Sequence, residues 1–180
     1  ISGNRCEKGA GHAGECEKGE NIFEYKRQRI FQCRSLSADK APRGIIGIPR
    51  ALNIYENYPL WSTLFRELGF SVLLSPFSDR KLYELGMESI PSESECYPAK
   101  LAHGHVQWLI NKGVRTIFHP CVFYEHQEYS SSKNHYNCPI VVSYAENLKN
   151  NVDDLEKENI RYLRPFIALT DEKTIAERLV

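Results

Sequence analysis

Three of the six cysteines in this chain lie against proline: Cys96-Tyr97-Pro98, Pro120-Cys121 and Cys138-Pro139. Proline fixes φ and removes an amide donor, so each thiol is expected on chain that has left helix or sheet pairing. A cysteine that only fills a core sits inside a strand or helix as a small hydrophobe. Thiolates presented from turns are what an iron–sulfur cluster or a zinc ion takes as ligands. Cys96, Cys121 and Cys138 are therefore candidate metal or redox ligands, with packing thiols as the plainer alternative. Cys6 and Cys16 flank His12 at a spacing unlike that of zinc knuckles, and Cys33 reads as an incidental thiol beside a helix end.

Polar residues near these thiols extend the candidate set. Lys100 follows Cys96 by one helical turn, close enough to stabilise a thiolate or an anionic ligand, or else to stand as a solvated charge. His103 and His105 lie two apart on the same predicted helix and so face different directions; one is a candidate proton donor or hydrogen-bond partner, the other structural. Arg50 leaves a predicted strand after Pro49, a position suited to an anionic substrate group. Trp61, Phe65, Trp108 and Leu109 are core by spacing.

The elements that must position these residues alternate. Gly44 to Ile48 is a short apolar run with a buried-strand signature, ended by Pro49. Leu60, Trp61, Leu64, Phe65 and Leu68 recur at helical spacing from Tyr58 to Leu68, and Gly69 closes that helix. Phe70 to Leu74 predicts a second strand, Asp79 to Leu85 a brief helix, and Pro98 to Lys112 a long one ended by Gly113. Val114 to Phe118, Ile140 to Tyr144 and Leu163 to Leu169 predict the remaining strands. This rhythm predicts an α/β domain: a mostly parallel four- or five-stranded sheet with helices on both faces, flavodoxin-like or Rossmann-like. Ligands of such sheets bind beyond the carboxyl ends of the strands, where Cys121 falls. Cys96 reaches that edge if the loop before it folds over, and the two thiols are expected close together there. Cys138 precedes the predicted fourth strand, which puts it on the opposite edge unless that strand is antiparallel or the loop from Val122 to Asn137 doubles back.

Residues 1–42 are of a different composition, rich in glycine and charge, and read as a linker with one short helix around Ile22 to Ile30 ahead of a domain at 43–180. The chain begins at Ile1 and stops at Val180 inside an amphipathic pattern, so a longer parent protein is expected. The 23 basic and 23 acidic residues balance, which argues against a nucleic-acid groove or an anionic membrane surface. No apolar run is long enough to span a bilayer and no signal segment opens the chain, so a reducing cytoplasm is the expected location.

Four motifs in order now carry a resemblance. They are Gly47-Ile48-Pro49-Arg50, Glu95-Cys96-Tyr97-Pro98-Ala99-Lys100-Leu101-Ala102-His103-Gly104-His105, Phe118-His119-Pro120-Cys121 and Asn137-Cys138-Pro139-Ile140-Val141-Val142-Ser143-Tyr144. Over roughly residues 43 to 170 the chain resembles the uncharacterised domain of CoA-substrate-specific enzyme activases, relatives of the (R)-2-hydroxyglutaryl-CoA dehydratase system. The resemblance implies a cytoplasmic protein of an anaerobic bacterium, with an activase-type ATPase domain and a dehydratase-like domain as partners in the same long chain. It further implies a 4Fe–4S cluster, lost in air from an isolated fragment. Cys96 and Cys121 match the first two ligands, while the third is Cys138 or belongs to another domain. Arg50, Lys100 and His103 would face the cofactor. Gly44-Ile45-Ile46-Gly47 is too short to cradle a triphosphate, so ATPase activity is not assigned to this chain. A metal-free docking or regulatory domain and a zinc-binding module remain the alternatives.

Overall fold

The computed structural model describes residues 19–179. The chain divides into two compact units, one up to Gln32 and one from Cys33 onward. In the first, Asn21 caps a helix α1 (Ile22–Ile30) by accepting from the Glu24 amide. The second unit holds everything else. It opens with a segment that runs along the sheet: the Val72 amide donates to Ser35 Oγ at 2.6 Å, and Ser71 Oγ donates to the Leu36 carbonyl at 2.7 Å.

β1 (Ile45–Ile48) is followed by α2 (Ile54–Glu67), β2 (Ser71–Leu74), α3 (Arg80–Gly86) and α4 (Tyr97–Asn111). β3 (Thr116–Phe118) and β4 (Cys121–Tyr124) come next, then α5 (Pro139–Asn151), α6 (Asp154–Lys157), β5 (Arg161–Leu163), β6 (Phe166–Ala168) and α7 (Glu172–Leu179). The main sheet has four strands in the order β2-β1-β3-β5, all parallel. With β1 between β2 and β3, this is the strand order of flavodoxin-like doubly wound sheets, with the switch point between β1 and β3.

Successive residues of a strand point to opposite faces, and β3 shows which helices cover which face. Ile117 joins the cluster of Ala102, Val106, Leu109, Tyr144 and Leu148 from α4 and α5. Phe118 points the other way, into edge-on contact with Trp61 and Phe65 of α2 at 5.0 and 4.8 Å between ring centres. Gly47 lies on the α4 side, where a Cβ would come within 3.2 Å of Leu109 and 3.0 Å of Val114. α4 therefore packs closely on β1.

Four expectations are corrected. Ile140 to Tyr144 is not a strand but the first turns of α5. Its β-branched run suggested sheet, yet Pro139 opens the helix, and Tyr144, Ala145 and Leu148 form a buried helical face that decides the matter. The predicted strand from Leu163 to Leu169 is broken at Arg164-Pro165 into β5 and β6, because proline cannot donate to a ladder. α2 begins at Ile54, four residues before the expected start, with Pro59 inside it. Proline favours a first turn, so its presence hid the turn that precedes it.

The fourth correction concerns Cys121. It does not lie on free loop but opens β4, which pairs with β6 in a two-stranded parallel ladder. His119-Pro120 and Arg164-Pro165 sit side by side and interrupt what would be one long pairing of β3–β4 with β5–β6. The His119 amide donates to the Leu163 carbonyl at 2.8 Å and the Cys121 amide to the Pro165 carbonyl at 2.9 Å, so pairing crosses the break. β4 and β6 thus project past the carboxyl edge of the main sheet as a wall.

Candidate functional site

Helices that connect parallel strands run back against them and begin at the carboxyl edge. α4 leads from β2 to β3, and α5 leads from β4 towards β5. Both therefore start at that edge, and their N-cap residues are Cys96 and Cys138. The Cys96 cap is extended and the Cys138 cap has φ −54° and ψ 139°; each is followed by proline in the first turn, and both thiols are exposed. Neither side chain bonds a first-turn amide. Cys138 therefore belongs to the carboxyl edge and not to the opposite one, because the element it opens is a helix.

The loop does double back, and a carboxylate holds it. The Glu125 amide donates to the His135 carbonyl at 2.8 Å, Tyr124 bridges Tyr136, and the Asn137 amide donates to the Phe123 carbonyl at 3.0 Å. Asn137 Nδ2 also donates to the Val122 carbonyl at 3.0 Å and to Glu125 Oε1 at 2.6 Å. Cys138 is thereby returned beside β4, the strand that Cys121 opens.

Cys121 has no exposed surface. Desolvation, reinforced by the Glu146 charge, pushes its thiol upward against the opposing pull of Arg164 and the amides of Ala145 and Glu146. It is a protonated core thiol in this arrangement. One stretch of α5 nevertheless touches Cys121 and lies within electrostatic range of Cys96. The backbone amides of Ala145 and Glu146 act on the Cys121 sulfur, while Tyr144 is near enough to Glu95 and Cys96 for their charge to add to the desolvation that raises its phenol.

Behind Cys96 lies a buried chain of hydrogen bonds. Ser89 Oγ donates to the Gly86 carbonyl at 3.0 Å, which leaves its oxygen to accept from His103 Nδ1 at 2.8 Å. His103 Nε2 then accepts from the Tyr144 hydroxyl at 3.0 Å, tying α4 to α5. His105 faces the other way, between Ser75 Oγ at 2.8 Å and Ser78 Oγ at 2.9 Å. Ser75 Oγ accepts the Arg50 amide at 2.7 Å, and its carbonyl accepts from Arg50 Nε at 3.0 Å. The guanidinium lies 3.8 Å over the Phe77 ring. Burial lowers His103 to about 4, and burial with the charges of Arg50 and His119 lowers His105 to about 3. Both are neutral hydrogen-bonding parts of the scaffold near neutral pH. Lys100 Nζ donates to the Glu93 carbonyl at 2.7 Å and so closes the loop that carries Cys96.

Ser75, Ser78, Ser89, Tyr144, Glu125 and Asn137 were not candidates from sequence. Their partners lie far along the chain, and only the position of Asn137 directly before Cys138 gave any local signal. Cys6, Cys16 and His12 lie outside the described residues. Cys33 is half-buried.

The donor chemistry fits an iron–sulfur cluster in part. Cys96 and Cys138 are soft, accessible donors at helix N-termini, where negative charge is favoured. Cys121 is buried, and among the described residues no group of three or more His, Cys, Asp or Glu side chains is arranged to hold a metal ion. Among the same residues no helix is long and apolar enough to cross a membrane.

No curated protein matches the chain, and no solved structure does. A family model does match, over residues 45–180, from the first residue of β1 through the sheet, both exposed cysteine caps and α7. The chain belongs to the family described as the CoA enzyme activase uncharacterised domain.

Proposed function

We propose that this domain supplies thiolates to a 4Fe–4S cluster within a 2-hydroxyacyl-CoA dehydratase activase-related protein, the remaining ligands coming from a partner module. The reading rests chiefly on Cys96 and Cys138, two exposed thiols that each open a helix at the same edge of the sheet. A cluster bound there would accept an electron from an ATP-driven partner domain. Cys121 joins as a third ligand only by losing its proton and leaving the core, so two thiolates from this chain is the favoured count. Arg50 lends positive charge to the edge, Lys100 closes the loop before Cys96, and His103 braces α4 against α5 beneath it. The natural setting in this reading is a cytoplasmic protein of an anaerobic bacterium, with an activase-type ATPase domain and a dehydratase-like domain as partners.

Serine substitution tests the ligand assignment. In the parent protein loaded with iron and sulfide under anaerobic conditions, Cys96→Ser and Cys138→Ser are each expected to remove most of the bound iron. Cys121→Ser is expected to cost stability first, because it buries a hydroxyl in the space of a thiol. Iron that survives both exposed substitutions and disappears with Cys121→Ser contradicts the assignment.

A second reading is favoured by the burial of Cys121: a metal-free docking domain whose carboxyl edge contacts the partner modules. In that case the exposed-cysteine variants leave redox activity unchanged. A zinc module would instead carry stoichiometric zinc after native expression.

A further inference from the structure

The cluster reading leaves open what keeps Cys138 at the carboxyl edge, at the end of a long return loop. α5 begins there only if the loop is fastened on both sides, and one carboxylate does this. Glu125 Oε1 and Oε2 each lie 3.2 Å from Asn57 Nδ2 on α2, and Oε1 also accepts from Asn137 Nδ2 at 2.6 Å. Asn137 is further fixed by its amide to the Phe123 carbonyl and by Nδ2 to the Val122 carbonyl. Glu125 is half-buried at the end of β4. Hydrogen bonds to an ionised group are stronger than neutral ones, and a carboxylate can accept several at once. Replacing Asn137 or Glu125 therefore removes a joint between α2, β4 and the residue that precedes the Cys138 cap of α5.

We propose that Glu125 and Asn137 are the positioning residues for Cys138, with Asn57 as the anchor on α2. Neither acts on a ligand; each acts through the placement of the α5 N-terminus. The reason for wanting Cys138 held there rests on the cluster reading, while the clamp itself can be tested without it.

The two helices supply an internal comparison. The Val142 amide donates to the Cys138 carbonyl at 3.1 Å, and the Lys100 amide donates to the Cys96 carbonyl at the same distance. Amide hydrogen exchange of the 180-residue chain reads both first turns in one sample. Glu125→Ala is expected to speed exchange at Val142 by roughly tenfold, in keeping with the loss of bonds to a charged acceptor. Exchange at Lys100 should stay within a factor of about two. Glu125→Gln keeps an oxygen for Asn137 and is expected to restore most of the protection. Unchanged exchange at Val142, or equal acceleration at both amides, overturns the proposal. Iron loading in parallel separates the two claims. If the exchange result holds but the wild-type parent protein binds no iron, the clamp stands and the cluster reading falls.

Discussion

Lowering the pH from about 7 to about 5 is expected to cost this domain on the order of 5 kcal/mol of stability, because three buried histidines resist protonation in the folded state. His103 and His119 are lowered to about 4 and His105 to about 3, in each case chiefly by desolvation. Their hydrogen bonds explain why relief is difficult. His103 and His105 each use both ring nitrogens, and His119 Nδ1 meets the hydroxyl of buried Tyr162 at 2.9 Å. A proton added to His103 Nε2 would face the Tyr144 O–H, turning an acceptor into a second donor.

The sign follows from linkage. An unfolded histidine binds its proton near pH 6.5, whereas these folded ones do not until pH 4 or below. Their contribution is fully present above about 6.5 and is lost as pH falls towards the folded values, at up to about 1.4 kcal/mol per pH unit for each histidine. Urea denaturation at a series of pH values measures this. A midpoint that falls steeply below pH 6.5 is predicted, with a shallower fall for His105→Gln. A flat midpoint down to pH 5 would show that the three side chains titrate normally.

Gly104→Ala is expected to be the most damaging methyl that could be added to the site's support. α3 and α4 cross through glycines: a Cβ on Gly104 would lie 1.8 Å from the Leu82 carbonyl oxygen, and one on Gly86 would lie 2.2 Å from the Gly104 nitrogen. These neighbours are backbone, so no rotamer change relieves the clash and the helices must separate. Overpacking of this kind costs about 3 kcal/mol or more, or roughly 10 °C in melting temperature for a domain of this size. Separation also carries Ser89 away from His103 and loosens the brace beneath Cys96. Gly44→Ala is the control: it has φ 81 but meets nothing within 4 Å. Its cost should stay near the 1–2 kcal/mol of a left-handed residue. Equal melting temperatures for the two variants would mean that α3 and α4 do not cross as tightly as the geometry requires.

How far the sequence could be read depended on how local each signal was. Gly69 after Leu68 and Gly113 after Lys112 marked helix ends directly, since both take positive φ, and Asp79, which reads as the start of the brief helix, is the N-cap of α3. The alternation of apolar runs with helical spacing gave the parallel sheet. Ile140-Val141-Val142 misled because β-branched residues favour strands, while the burial that makes them helical depends on β4 and α4, elements distant in sequence. Pro120 looked like the end of a strand, whereas Pro165 looked like the interior of one. Only their lateral pairing, invisible along the chain, shows that the ladder resumes beyond them. That Cys96 and Cys138 sit at the boundary of regular structure was legible from proline, but Cys138 as a helix cap was not, because the run after it reads as a strand. The burial of Cys121 was not, because it arises from α5 and from Tyr162.

The central claim is that the thiols at this edge bind a cluster. The most direct measurement is iron and acid-labile sulfide content of the parent protein purified without oxygen, with electron paramagnetic resonance after reduction. The account predicts a brown protein with iron and sulfide in equal amounts and a reduced-cluster signal that disappears in the Cys96→Ser, Cys138→Ser double variant. A colourless, iron-free protein from anaerobic cells, or a cluster signal indifferent to both substitutions, would contradict it.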